Sequence, residues 1–142
     1  MSTIRFKRSL TSLHNENGAS AVEFAIVLPL LLTLILGIMQ FGLIFFNYIS
    51  ITHAAREGAR WAALEQPDAD VRAKVKNSIP GLSLADTDID ISPAGDRSGL
   101  IGEQVAVTVH YKTPIIAPLI GTAIGIAGPD ITLSNIATQR IE

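Results

Sequence analysis

The sequence has no cysteine, few charges and few aromatic residues, and each shortage excludes a class of protein. Without cysteine there is no disulfide scaffold, no thiolate metal site and no lipoprotein-type lipidated cysteine. Charged residues make up only 17% of the 142 residues, and no basic face alternates with aromatic side chains, so nucleic acid is not an expected partner. Phosphate-binding loops, nucleophile elbows and HExxH motifs are also missing, so we expect no catalysis, no cofactor and no small-molecule substrate.

The most informative shortage is local, because no Asp, Glu, Lys, Arg or His occurs from Phe24 to Thr52. As a helix, residues 24–46 would be roughly 34 Å long, enough to cross a hydrocarbon core about 30 Å thick. The sixteen Leu, Ile, Phe and Val residues of this stretch favour insertion by very roughly 5–10 kcal/mol. A buried core helix is the alternative, but the rest of the chain has too little apolar sequence to surround one. The sequence therefore predicts a single membrane-spanning helix.

Charge is distributed unevenly on the two sides of this stretch. Residues 1–18 carry Arg5, Lys7 and Arg8 against one acidic residue, whereas residues 19–142 carry eight basic and twelve acidic residues. Because positively charged flanks stay in the cytoplasm, we expect a cytoplasmic N-terminus and an extracytoplasmic C-terminal domain. The predicted organisation is a basic leader over 1–18, a membrane helix with its outer extension over 19–66, and a small α+β domain over 67–142.

The junction before the apolar stretch has a distinctive order of residues. Gly18 is followed by Ala19, three further small or apolar residues, and then Glu23 and Phe24. A secretory signal would have a shorter apolar region and a small-residue cleavage site after it. The junction instead resembles the prepilin cleavage motif of the Flp (Tad) pilus system. That resemblance implies cleavage between Gly18 and Ala19 by a prepilin peptidase on the cytoplasmic side.

Glu23 is the only residue between Gly18 and His53 that can carry a charge. One interpretation is an acid near the start of a helix, where the helix dipole favours a negative charge. The other is functional, because ionisable residues in membrane helices are costly and often mark functional sites. In pilin-like proteins the matching Glu pairs with the amino terminus of a neighbouring subunit. The resemblance implies this assembly role for Glu23, next to Phe24.

Small residues recur at helical spacing after the apolar stretch. Ala54, Gly58 and Ala62 are four apart, as are Ala55, Ala59 and Ala63. On a helix they form one face, opposite the charged residues of the same segment. A face of small residues lets another backbone approach closely. It fits either this chain's own C-terminal domain or a partner helix, and the sequence leaves both open.

Four ordered blocks together resemble the TadE-like family of minor pseudopilins. They are residues 18–24, 28–30 (Leu-Pro-Leu), 41–42 (Phe-Gly) and 54–60. The resemblance implies a single-pass protein of the bacterial inner membrane that serves tight-adherence (Tad) pilus assembly. Its implied partners are a prepilin peptidase, other pseudopilins and Tad assembly proteins. The alternative is an uncleaved membrane anchor that presents a small binding domain to envelope partners.

The remaining sequence predicts a small antiparallel sheet packed on the helix, an α+β and pilin-like arrangement. Asp68 or Asp70 is expected to cap a short helix that continues to about Ile79. Alternating polar and apolar residues predict strands over 87–92, 103–112 and 131–139. The apolar segment 113–128, with its Gly and Pro residues, is expected to be a packed or membrane-proximal loop.

Several polar residues remain as candidates for chemistry. An EF-hand starting at Asp86 fails because Ile91 and Arg97 occupy the positions that need Gly and Glu, so no metal site is expected. Asp86, Asp88 and Asp90 are expected to share the solvent face of a strand. His110 is expected to lack an acidic companion at ligand spacing. Gln40 and Asn47 are expected to bond a neighbouring helix or to mark the outer membrane interface.

Overall fold

A computed structural model describes residues 16–116, 125 and 128–142 of the chain. The order of elements is one long helix, one short helix and three strands, which confirms the predicted α+β class with an antiparallel sheet. The basic leader up to residue 15 and most of the predicted loop 113–128 lie outside the described residues.

Helix α1 (Glu16–Ala63) contains the whole apolar stretch. Within a bilayer a helix satisfies all its own backbone hydrogen bonds, which an isolated strand does not. Among the described residues, α1 is the one helix that is long and apolar enough to cross a membrane, and its most apolar part is not buried by the protein. The helix ends at Ala63, shortly before Glu65, which has a φ of 56°, and Pro67. One helix of this length and composition indicates a single-pass membrane protein.

Contacts divide the chain into two compact units, Met1–Leu34 and Ile35–Glu142. In its described part, the first unit is the N-terminal part of α1. The second contains residues 35–63 of α1, called here the outer half of α1, and the part of the chain that follows it, residues 64–142, called the sheet domain.

The sheet has the order β1-β2-β3, with β1 (Ile89–Ser92), β2 (Gln104–Pro114) and β3 (Asp130–Arg140) all antiparallel to their neighbours. The alternation that predicted the strands matches their burial, since every second residue of β1 and of most of β2 is buried. The first strand begins at residue 89, two residues later than predicted. Residues 86–88 form a 3₁₀ turn instead, in which the Asp88 carboxylate accepts a hydrogen bond from the Ala85 N–H at 2.8 Å.

Helix α2 (Asp68–Asn77) lies where a short helix was predicted, and it buries Val71 and Val75. The predicted cap by Asp68 or Asp70 is wrong, because the N-cap residue is Pro67 and no side chain caps the helix. Asp68 is not available as a cap, since its carboxylate accepts hydrogen bonds from residues in the loop between β1 and β2.

The core lies between the outer half of α1, helix α2 and one face of the sheet. Small side chains from α1 meet valines and isoleucines from the other elements, so that backbones pack closely. Its buried members include Ile51, Ala54, Ala55, Ala59 and Ala62 from α1, Val71 and Val75 from α2, and Ile89, Val105, Val107 and Val109 from the sheet.

Candidate processing and assembly site

The Gly18–Ala19 bond lies in helical backbone, since the structure describes α1 from Glu16 onward. Cleavage at this bond would therefore require the helix to unwind locally.

Glu23 and Phe24 follow one turn later, and both side chains are exposed. Residues four apart on a helix have Cβ atoms about 5–6 Å from each other. An α-amino group created at Ala19 would therefore lie within reach of Glu23 in the same chain.

The six residues of the small face are buried in the structure: Ala54, Ala55, Gly58, Ala59, Ala62 and Ala63. A Cβ atom on Gly58 would lie 2.5 Å from Val75 Cγ2 and 3.1 Å from Val107 Cγ1. At Gly58, the side chains that cover this face thus come from the chain's own α2 and β2. Close packing at Gly58 brings both elements against α1 at one point.

We expect Gly58→Ala to destabilise the sheet domain by about 1–3 kcal/mol, the usual cost of overpacking a core. The added methyl group collides with Val75 and Val107, and this outweighs the gain of up to about 1 kcal/mol in helix propensity. Gly42→Ala is the matched control, because no atom lies within 4 Å of its added Cβ. Thermal unfolding of the full chain in detergent checks both, and a Gly58→Ala protein as stable as Gly42→Ala would contradict the packing.

Gln40 and Asn47 are buried, with 4% and 3% of their surfaces exposed. Gln40 Nε2 donates to the Pro114 carbonyl at 3.2 Å, and Gln40 Oε1 accepts from the Ile116 N–H at 2.8 Å. Asn47 Nδ2 donates to Thr113 Oγ1 at 3.1 Å. Both side chains therefore bond the end of β2 and the residues just after it, and not a neighbouring helix, the first of the two alternatives that the sequence left open.

Arg97 is the largest fully buried side chain of the described residues, with 1% of its surface exposed. Its guanidinium donates to the carbonyls of Ala62 at 3.2 Å, Gln66 at 2.6 Å and Pro93 at 3.0 Å, and to Asp68 Oδ1 at 2.6 Å. The five donors of an arginine suit such a set of acceptors. One side chain thus joins the end of α1, the start of α2 and the loop after β1. The sequence gives no local signal for this role, because nothing distinguishes one arginine in a turn-rich loop.

Acid should weaken this cluster. Burial alone would raise the pKa of Asp68, but hydrogen bonds from Arg97 and the Gly95 N–H, and the charges of Arg97 and Arg72, outweigh it, so the pKa lies below its usual value. A carboxyl whose pKa is lowered by folding stabilises the protein above its unfolded-state pKa of about 3.9, and this contribution is lost as pH falls through the folded-state pKa.

We therefore expect Asp68→Asn to be less stable than the wild type at pH 7 and to lose less further stability between pH 5 and pH 2. Unfolding midpoints across this range measure both effects. An equally steep acid dependence in Asp68→Asn and the wild type would contradict the assignment.

The three aspartates expected to share a strand face are placed differently. Asp86 and Asp88 belong to the 3₁₀ turn, and Asp86 pairs with Lys76 at 2.8 Å. Asp90 lies on β1 and its carboxylate is 3.2 Å from His110 Nε2 on β2. Strand pairing thus brings His110 next to an acidic residue twenty positions away in sequence. Exposed pairs of this kind contribute little to stability.

The described residues define a class of protein, with one apolar helix able to cross a membrane once and a small antiparallel sheet packed on its outer half. The family model of TadE-like protein matches residues 18–60, from Gly18 to Arg60, which confirms the resemblance over that stretch. The match supports involvement in the Tad pilus system. Comparison with the curated proteins and with the solved structures returned no match.

Proposed function

We propose that the protein is a minor pseudopilin-like membrane component of Tad pilus assembly. It is held in the bacterial inner membrane by α1, with its N-terminus in the cytoplasm and the sheet domain outside. The observation that carries the proposal is the family match over residues 18–60, which begins at the cleavage motif and follows the apolar helix into the small-residue face.

Processing gives the N-terminal end of α1 its proposed function. Cleavage after Gly18 removes the basic leader and creates an α-amino cation at Ala19, one turn before Glu23. Two opposite charges near lipid are each costly alone, and their pairing removes both costs together. The pairing of the Ala19 amino group with Glu23 of a neighbouring subunit therefore favours assembly with other pseudopilins in which the two groups lie at the same depth.

The N-terminus of the protein isolated from its own cells tests this proposal. Intact mass and terminal peptide sequencing should show a chain that begins at Ala19. Gly18→Leu should leave the leader attached, because a bulky side chain would occupy the position before the cut bond. Ser20→Ala, which replaces one small residue of the motif with another, should be processed normally. A wild-type chain that keeps residues 1–18 would instead favour an uncleaved anchor for a small binding domain.

A further inference from the structure

The outer half of α1 has two different faces. One face is covered by the sheet domain, which buries Gln40, Asn47 and Ile51. The opposite face is left uncovered, and its apolar side chains Phe45, Phe46 and Ile49 are 63%, 60% and 65% exposed. Large apolar side chains grouped on an exposed face mark an interaction surface.

The uncovered face changes from apolar to basic over one turn. Residues 45, 49, 53, 56 and 60 follow one another at steps of three or four and therefore lie on one side of the helix. Phe45 and Ile49 are apolar, whereas His53, Arg56 and Arg60 are polar or cationic, and all five are exposed. This order matches the passage from hydrocarbon to headgroups at a membrane surface, where arginine favours anionic lipids.

A groove of about 300 Å³ lies beside the change from apolar to basic residues. It is formed by Phe46, Ile49 and His53 of α1 and by Ile79, Pro80 and Leu82 after α2. The groove extends the uncovered apolar surface from the helix onto the sheet domain.

We infer that this face and groove lie against the lipid of the leaflet nearest the sheet domain, with Phe45, Phe46 and Ile49 in the hydrocarbon and Arg56 and Arg60 at the headgroups. The occupant is lipid because the surface continues the membrane span: no charge interrupts the sequence from Phe24 to Thr52. The inference rests on the membrane insertion proposed above, but not on processing or on a role in pili.

The length of the apolar stretch agrees with this arrangement. Residues 24–49 would be roughly 39 Å long as a helix, against a hydrocarbon core of about 30 Å. A helix longer than the core is accommodated by tilting. Because Gln40 and Asn47 bond the end of β2 on one side, the outer half leans with its opposite, uncovered side toward the lipid.

Single-cysteine spin labels test the inference, and the absence of native cysteine makes each label unambiguous. The labels replace Leu31 in the span, Phe45 and Ile49 on the uncovered face, and Ser134 on the exposed face of the sheet. Ser134 is a control at a similar level along the axis of α1 but on the exposed face of the sheet, because its neighbour Asn135 donates to the Tyr48 hydroxyl at 3.4 Å. The full chain is placed in vesicles of phosphatidylethanolamine and phosphatidylglycerol, and collisions with oxygen and with a water-soluble nickel chelate are measured.

We expect the labels at positions 31, 45 and 49 to collide mainly with oxygen, and the label at position 134 mainly with nickel. If 45 and 49 behave like 134 while 31 remains in lipid, the inference is overturned and membrane insertion stands. If 31 also collides with nickel, insertion itself fails. Labels at 45 and 49 that are shielded from both reagents would show that protein covers this face, and would also overturn the inference.

The headgroup contact has its own test in the same vesicles. Replacing Arg56 and Arg60 with glutamine should lower the oxygen-to-nickel ratio at position 49 when phosphatidylglycerol is present. The replacement should have no effect in vesicles of phosphatidylcholine alone, since anionic headgroups are then missing. An unchanged ratio in phosphatidylglycerol would exclude the proposed role of the two arginines.

Discussion

Arg97→Met should lower the free energy of unfolding of the sheet domain by about 3–5 kcal/mol, because a fully buried guanidinium with four acceptors, one of them a partly exposed carboxylate, is removed. Methionine fills much of the volume but donates nothing. The carbonyls of Ala62, Gln66 and Pro93 and the Asp68 carboxylate would each lose a charged donor. A small domain of this size has a total stability in the range of about 5–15 kcal/mol, so the loss is at least about a fifth of it.

Chemical unfolding of the full chain in detergent, followed by the circular dichroism of the sheet, measures this effect. Arg97→Lys should be intermediate, because one ammonium group cannot reach acceptors that surround a guanidinium. Arg56→Gln is the control at an exposed arginine and should change stability by less than about 0.5 kcal/mol. Equal midpoints for Arg97→Met and Arg56→Gln would show that the buried cluster does not hold the domain together.

Glu23→Ala should abolish association with other pseudopilins while leaving cleavage and membrane insertion intact. The reason is that the variant leaves the α-amino cation of each processed chain without its partner at the membrane surface. A complete loss of association would also distinguish the two interpretations of Glu23, the helix-start acid and the assembly residue. A helix-dipole interaction contributes only about 0.3–1 kcal/mol, which weakens a helix start but does not prevent assembly.

Co-purification of tagged neighbours from cells and the amount of surface pili measure assembly, and the N-terminal sequence of each variant reports cleavage. Glu23→Gln should fail like Glu23→Ala, because it keeps the shape and hydrogen-bonding capacity but not the charge. Val22→Ala is the control at an adjacent exposed position and should assemble normally. Normal pili in Glu23→Gln would rule out charge pairing as the basis of assembly.

Local patterns were sufficient to predict most of the fold. The uncharged apolar stretch predicted α1, and its length and exposure in the structure follow from the same residues. Alternation of Val105, Val107 and Val109 predicted the central strand, which is where burial alternates most regularly. Because each signal lies within one element, each could be recognised without knowing what the element packs against.

The contacts that hold the elements together could not be predicted in this way. Gln40 bonds a residue 76 positions away, and Arg97 bonds one 35 positions away. Neither residue lies in a local pattern that indicates its partner. A glutamine in an apolar stretch could bond a neighbouring helix as well as the end of a strand. Cleavage of the Gly18–Ala19 bond could not be predicted from the fold either, because the same helix is compatible with a cleaved and with an uncleaved chain.

The shared core has a consequence for the order of events in biogenesis. Because α1 supplies Ile51 and the buried alanines, a fragment that begins at residue 67 would expose Val71, Val75 and Val107 and would lack the surface on which its sheet forms. In the proposed topology, the sheet can therefore pack only when residues 51–63 of α1 have reached the same side of the membrane as the sheet domain.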